Sequence, residues 1–176
     1  MMVHCQTKEP RHHVTRGTIQ MATSAGMLDA RTQQQATKTS GWWKRRQIAG
    51  GRAVVTGASS GIGRAIALEL ARQGADLVIS ARRQERLEDL ATEIRVLGRR
   101  VEIVAGDLTD VGVRQAALDG AEQKLGGLDI LVNNAGVAAL GRFEDANPHR
   151  LRQIFGVNFF SMVELTRAAL PLLRRG

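Results

Sequence analysis

The stretch that decides the fold runs from Ala53 to Leu68 and reads AVVTGASSGIGRAIAL. It joins an apolar strand to an amphipathic helix through a glycine-rich turn. Gly57 and Gly61 supply backbone angles that side chains disfavour, and Gly63 lets the helix lie close on the sheet. Unpaired amides and the positive end of the helix dipole then face outward, so the turn predicts a phosphate or pyrophosphate site. The spacing T-G-x-x-x-G-x-G differs from the standard dinucleotide fingerprint, which leaves a purely structural role for the glycines open at this point.

Beyond this turn, short apolar runs alternate with helical patterns of about a dozen residues, which indicates an α/β domain with a parallel sheet covered on both faces. Further strands are expected at residues 76–80, 101–105 and 128–132, and helices at about 87–97 and 110–125. The first helix is predicted to bury the face from Ile62 to Leu70. The last helix begins at Asn147-Pro148 and is predicted to bury Asn158 among its aromatic residues.

Polar residues follow the predicted strands at their carboxyl ends, where parallel sheets bind ligands. Arg82 and Arg83 follow the second strand, at the place where NAD-binding chains carry an acid for the ribose 2′-hydroxyl. A guanidinium there suits a 2′-phosphate, because its planar fork of donors matches phosphate oxygens; solvated surface arginines are the alternative. Asp107, after the third strand, can accept a hydrogen bond from an adenine amino group or cap the next helix. These residues favour NADP over NAD as the ligand.

The net charge of +8 is concentrated in the first 46 residues, which hold 8 Lys or Arg against 2 Asp or Glu. Nucleic-acid binding is therefore not expected of the folded part, which holds 17 basic and 15 acidic residues. The composition predicts a disordered basic segment at residues 1–46 and a domain at residues 47–176. With no run of 18 apolar residues and a single cysteine, Cys5, the chain is expected to be cytoplasmic and free of membrane spans.

Two features of the first segment have alternative interpretations. His4, Cys5, His12 and His13 match no structural zinc spacing, so no metal site is expected. Trp42-Trp43, followed by three basic residues, could touch a lipid surface, but docking beside the first strand is favoured. The basic segment could also tether the domain to a membrane or a nucleic acid.

From about residue 50 to residue 175 the chain strongly resembles the short-chain dehydrogenase/reductase family. The resemblance rests on TGASSGIG at residues 56–63, Asp107-Leu108, NNAG at residues 133–136, and Val157-Asn158. It implies a Rossmann-like, doubly wound parallel sheet, a nicotinamide cofactor, and hydride exchange with a small carbonyl or alcohol substrate. The residues implied to bind the cofactor are Gly57, Ser59, Ser60, Gly61, Ile62, Gly63, Arg82, Arg83, Asp107, Leu108, Asn133, Ala135 and Gly136. Asn158 matches the asparagine of the family's catalytic tetrad, although a buried structural asparagine would have the same spacing.

The family's chemistry also uses a serine and a Tyr-x-x-x-Lys motif, and the 176 residues contain no tyrosine. Lys124 is the only lysine after residue 44. We therefore expect the fold to be truncated after the helix that follows the fourth strand, and the chain as given to be inactive. The full-length form is expected to be a homo-oligomeric, NADP-dependent oxidoreductase, with a non-catalytic module that binds or senses NAD(P) as the alternative.

Overall fold

The computed structural model describes residues 47–175. The segment 1–46 lies outside the described residues, and so do its predicted disorder, its histidines, Cys5 and Trp42-Trp43. Within the described part, no helix is both long and apolar enough to cross a bilayer. The same residues contain no group of three metal-ligating side chains that could hold an ion.

Four parallel strands form one sheet in the order β3-β2-β1-β4. Their bounds are Arg52–Thr56 for β1, Asp76–Ala81 for β2, Val101–Ala105 for β3 and Ile130–Val132 for β4. β1 is a central strand, paired with β2 on one side and β4 on the other, and its central side chains are fully buried. This order confirms the prediction of a doubly wound sheet, although β4 is shorter than the sequence suggested.

The helices follow the strands in regular alternation. They are α1 (Gly61–Arg72), α2 (Gln84–Val96), α3 (Val111–Asp119, continued by a π-helical turn over Gly120–Leu125), α4 (Pro148–Phe155) and α5 (Met162–Leu173). A short 3-10 turn covers Phe143–Asp145, and a second π-helical turn, Gly156–Ser161, joins α4 to α5. Asn147 caps α4 by accepting a hydrogen bond from the His149 amide at 2.8 Å, as predicted.

Each face of the sheet has its own apolar core. On one face, buried residues of β1 and β2 pack against α1 and α2; on the other face, α3, its π-helical turn and α5 cover the sheet. Alternate residues of one strand serve opposite faces, so that Val55 lies in the first cluster and Val54 in the second. Burial on both faces is the reason that the strands are almost continuously apolar.

In two helices, residues are more exposed than their predicted helix faces implied. Leu70 is buried as predicted, but Ile62 is 73% exposed, because the side of α1 nearest the glycine-rich turn is packed through small residues, Gly63 and Ala67. In the last helix Asn158 is exposed and Phe159 is 51% exposed. The π-helical turn at Gly156–Ser161 accounts for the second error, because its wider turns do not follow the 3.6-residue period used for the prediction.

Ion pairs fill the amino-terminal edge of the sheet. Asp76 begins β2 with a side chain only 8% exposed, and it pairs with Arg99 at 2.6 Å and Arg100 at 2.8 Å. Arg100 also donates to the carbonyls of Lys124 and Leu125, which end the π-helical turn after α3. Burial opposes ionisation of Asp76, but hydrogen bonds from the Arg100 amide and from both guanidinium groups outweigh it, so the Asp76 pKa lies below its usual value.

We expect Asp76→Asn to lower the free energy of unfolding by about 2 kcal/mol at neutral pH, because charged partners lose their acceptor. A lowered folded-state pKa means that the stabilisation is present above the unfolded-state pKa, about 3.9, and is lost as pH falls through the folded-state pKa. The difference between wild type and variant should therefore shrink in acid. Urea unfolding of both proteins over a pH series measures it, and a difference independent of pH would contradict the role of the carboxylate.

Candidate nucleotide-binding site

A cleft of about 390 Å³ lies at the carboxyl edge of the sheet. Its walls come from the segments that follow all four strands, which is where open α/β sheets bind ligands. The lining residues are Thr56, Gly57, Ser59, Ser60, Ser80, Ala81, Arg82, Arg83, Gly106, Asp107, Leu108, Asn134, Ala135, Gly136, Val137 and Val157.

The glycine-rich turn closes one end of this cleft. Gly57 has φ +67°, and a Cβ on it would lie 2.8 Å from the Ala135 Cα. Gly63 lies directly beneath the turn, where a Cβ would collide with the Gly57 carbonyl and the Asn134 amide. Gly61, at φ +57°, faces open space with no atom within 4 Å of a Cβ position. Gly57 and Gly63 are therefore required by the packing of the protein itself, whereas Gly61 leaves open space at the surface for a ligand.

The amino terminus of α1 has free hydrogen-bonding capacity. The side chain of Ser60, its N-cap residue, makes no capping hydrogen bond. The first amides of an α-helix have no partner within the helix. Together with the helix dipole, these donors suit an anion at the turn.

The Thr56 hydroxyl joins β1 to the segment after β4. It accepts hydrogen bonds from the amides of Asn134 and Ala135 at 3.0 and 3.1 Å and donates to the Val132 carbonyl at 3.2 Å. In return, the Asn134 side chain donates to the carbonyls of Thr56 and Gly57 at 3.1 and 3.2 Å. These bonds fix the two walls of the cleft relative to each other. Thr56 and Asn134 both lie in the motifs at residues 56–63 and 133–136, but the sequence predicted no role for either. The only sign of this contact was a hydroxyl residue at the carboxyl end of a central strand.

Two arginines border the cleft at the end of β2. Arg83 donates to the Ser59 hydroxyl at 2.9 Å and to the Ser60 hydroxyl at 2.7 Å, so its guanidinium lies against the glycine-rich turn. Arg82 lines the cleft beside it, and its positive charge also acts on Asp107. Ala81, the last residue of β2, carries no charge where an acid would favour a ribose 2′-hydroxyl. This corner of the cleft is therefore cationic.

Asp107 forms a tight turn rather than capping α3. Its Oδ1 accepts hydrogen bonds from the amide and the hydroxyl of Thr109 at 2.9 and 2.8 Å, while Asp110 caps the helix through the Gly112 amide at 2.7 Å. The Thr109 amide bond is the main cause of the lowered pKa of Asp107; the Thr109 hydroxyl and the charge of Arg82 add to it against the effect of burial. The carboxylate is therefore an ionised hydrogen-bond acceptor at neutral pH.

Asn158 holds the segment after β4 from outside the cleft. Its Oδ1 accepts a hydrogen bond from the Val137 amide, and its Nδ2 donates to the Val137 carbonyl, both at 2.8 Å. Asn133 points away from the cleft and donates to the Thr166 hydroxyl of α5 at 2.9 Å. Asn158 thus positions the backbone at Val137, and Asn133 links the end of β4 to α5.

The structure brings most of the predicted site residues together. Nine of them line the cleft: Gly57, Ser59, Ser60, Arg82, Arg83, Asp107, Leu108, Ala135 and Gly136. Five do not line it: Gly61, Ile62, Gly63, Asn133 and Asn158. Gly61 instead borders an adjoining groove between α1 and α2, together with Ser59 and Ser60.

The model of the short chain dehydrogenase family matches residues 52–176, which is well over half of the chain. The chain belongs to this family. Among its curated relatives, this short-chain dehydrogenase is 39% identical over 129 residues to 11-beta-hydroxysteroid dehydrogenase A of Sesamum indicum. That match covers 72% of the chain but only 37% of the relative.

Solved structures give the same assignment. A short chain dehydrogenase of Burkholderia cenocepacia in complex with NADP superposes with a TM-score of 0.69 at 37% identity, over 73% of this chain and 53% of that one. Carveol dehydrogenase of Mycobacterium avium in complex with NAD gives 0.69 at 28% identity, over 74% and 52% of the two chains. This short-chain dehydrogenase thus spans about half the length of these solved relatives.

The residues at the cleft fit a nicotinamide dinucleotide. Gly61 leaves space above the amides of α1 for a pyrophosphate. Arg82 and Arg83 supply positive charge at the end of β2, and Asp107, after the neighbouring strand β3, supplies a hydrogen-bond acceptor. When bound, such a cofactor supplies or accepts hydride; the residues described at this cleft would hold it and orient it.

Proposed function

We propose that the full-length form of this protein is an NADP-dependent oxidoreductase that transfers hydride between nicotinamide and a carbonyl or alcohol substrate. The observation that carries the choice of NADP is the position of Arg83, whose guanidinium lies 2.7–3.3 Å from the hydroxyls of Ser59 and Ser60. With Arg82 beside it and no acid at Ala81, this corner of the cleft suits a doubly charged 2′-phosphate. Asn158 would support the proton relay by holding Val137 at the cleft.

NADPH is expected to bind this protein more tightly than NADH by about ten- to a hundredfold, because a charge-assisted hydrogen bond contributes roughly 1.5–3 kcal/mol. Arg82→Ala and Arg83→Ala should each remove much of that preference while leaving NADH affinity nearly unchanged. Titration followed by the fluorescence of the reduced cofactor measures both affinities. Arg95→Ala is the matched control, because Arg95 is an exposed arginine in the last turn of α2, away from the cleft. Equal wild-type affinities for the two cofactors would contradict the proposal.

The second candidate function is a module that binds NAD(P) without catalysis. Its support is the cleft itself, whose described lining residues are suited to holding a nucleotide. Cofactor binding is common to both candidates, so turnover by the longest natural form of the protein separates them. Substrates similar to those of the relatives, steroids among them, are suitable first probes.

We also propose that the full-length protein is a cytoplasmic homo-oligomer. A single cysteine among the 176 residues is in keeping with a reducing compartment. Phe155, Phe159 and Phe160 are all more than half exposed, and the last two rings meet edge to face at 5.3 Å. An exposed aromatic group of this kind marks an interface, because monomers rarely leave large apolar patches in water.

The chain is therefore expected to self-associate as its concentration rises. Replacing Phe159 and Phe160 together by serine should shift the sedimentation coefficient toward that of the monomer with little loss of helical signal, because neither ring lies in the core. Sedimentation velocity over a concentration series measures the shift. A control replacement of Leu140, which is fully exposed and lies in another segment, should leave the association unchanged. Unaltered association of the double variant would contradict the assignment of this surface.

A further inference from the structure

Arg114 is a buried cation on the core side of α3. Its side chain is only 11% exposed. The neighbouring residues Ala117 and Leu118 of the same helix lie in the apolar cluster on this face of the sheet. A guanidinium removed from water needs several partners to offset the loss of hydration. The partners of Arg114 therefore identify the segments that its side chain holds in place.

The two terminal nitrogens of the guanidinium bond different parts of the fold. Nη1 donates to the Leu108 carbonyl at 2.6 Å, in the turn that follows β3. Nη2 pairs with the Glu164 carboxylate in the first turn of α5. Glu164 is 48% exposed and therefore keeps much of its hydration, whereas the bond to the Leu108 carbonyl is buried.

The Leu108 carbonyl belongs to the same peptide unit as the Thr109 amide. In a trans peptide these two groups point in opposite directions. Here the carbonyl is held by Arg114 at 2.6 Å, and the amide donates to the Asp107 carboxylate at 2.9 Å. Because both ends of one rigid plane are held, the bond to Arg114 also determines where the Asp107 carboxylate receives its hydrogen bond.

We propose that Arg114 is a positioning residue that sets the adenine side of the cofactor cleft by fixing the Leu108-Thr109 peptide and, through it, the Asp107 carboxylate. The inference rests on the proposed function, with Asp107 as the acceptor for the adenine amino group. In this role the position of Asp107 depends on the hydrogen bond from Arg114 to the Leu108 carbonyl. A residue that only linked α3 to α5 would act through its ion pair with Glu164 instead.

Two variants separate these roles. Arg114→Met keeps the apolar stem and removes both bonds, whereas Glu164→Gln removes only the ion pair and leaves the bond to Leu108. The first readout is hydrogen exchange of the Thr109 amide, measured in dilute protein without ligand. We expect exchange about tenfold faster in Arg114→Met and nearly unchanged in Glu164→Gln, with the amides of β2 as the internal reference.

The second readout is the affinity for adenosine 2′,5′-bisphosphate, the adenine half of NADP. It should fall about tenfold in Arg114→Met and less than twofold in Glu164→Gln. In an Asp107→Ala background, Arg114→Met should have almost no further effect, because the carboxylate through which it acts is already absent. A merely structural role would not give this non-additivity.

The outcomes are distinct. Unchanged Thr109 exchange in Arg114→Met, or equal effects of the two single variants, would overturn the positioning role. Failure of the wild type to bind the bisphosphate would count against the proposed function, while the exchange measurement would still decide the role of Arg114. If Arg114→Met does not fold, Arg114→Lys decides. It keeps the charge but not the planar fork, so Thr109 exchange should become faster and bisphosphate affinity should fall, each by less than about tenfold. A lower melting temperature with unaltered Thr109 exchange in Arg114→Lys would overturn the inference.

Discussion

Purified as the 176-residue chain, this protein is expected to show no turnover with NADPH or NADP and any carbonyl or alcohol. Hydride transfer changes the charge on the substrate oxygen, so a positioned acid or base must exchange a proton with it, a contribution of about 10²–10⁴ in rate. The sequence has no tyrosine to act as the acid, and Asp107, a carboxylate at the cleft, is held ionised by the Thr109 amide.

The measurement is the change in NADPH absorbance over a panel of aldehydes, ketones and alcohols. Cofactor binding in the same preparation is the control, because it shows that the cleft is formed when turnover is absent. A longer form of the chain that adds a Tyr-x-x-x-Lys motif should gain activity, and Asn158→Ala should then lower it. Turnover by the 176-residue chain itself would show that another residue carries the proton.

Gly61→Ala and Gly63→Ala are expected to abolish cofactor binding for different reasons. At Gly61 the new methyl group meets no protein atom, and binding is lost because the methyl group occupies space that the pyrophosphate needs. The positive φ of this residue should lower the free energy of unfolding by only about 1 kcal/mol. At Gly63 the methyl group collides with the Gly57 carbonyl beneath the turn. The helix must shift there, which should lower the free energy of unfolding by about 1–3 kcal/mol as well.

Gly98→Ala is the matched control for backbone strain. Gly98 has φ +73° with open space around its Cβ position, and it ends α2 away from the cleft. It should cost about as much stability as Gly61→Ala and leave cofactor affinity unchanged. Denaturant unfolding and NADPH titration of the three variants provide the comparison. Retained binding in Gly61→Ala would show that the open space above Gly61 is not used by the ligand.

The number of strands and the position of the cleft were predictable because they follow from local patterns. Apolar runs between helical segments fixed the number of strands, and the glycines at residues 57–63 marked the turn. The helix expected at about residues 87–97 is followed by Gly98, whose φ of +73° ends it. Each of these signals lies within a dozen residues of the feature it predicts.

Contacts over long sequence separations were not predictable in this way. Glu164 lies 50 residues from its partner Arg114, and Asn134 lies 78 residues from its partner Thr56, and nothing in the local pattern connects either pair. The exposure of Ile62 was missed because periodicity favours bulky aliphatic residues, whereas close packing of α1 on the sheet requires small ones. Asn158 was misplaced because a π-helical turn interrupts the period on which the prediction depended.

The two edges of the sheet differ in what their polar groups contact. At the amino-terminal edge, Asp76 is paired with Arg99 and Arg100, and Arg100 also donates to the carbonyls that end the neighbouring helical turn. At the opposite edge the polar groups surround a cleft. Natural selection can therefore alter the residues that choose a ligand without disturbing those that keep the sheet together. A separation of this kind lets one scaffold diversify, since substitutions around the cleft need not be compensated by substitutions at the other edge.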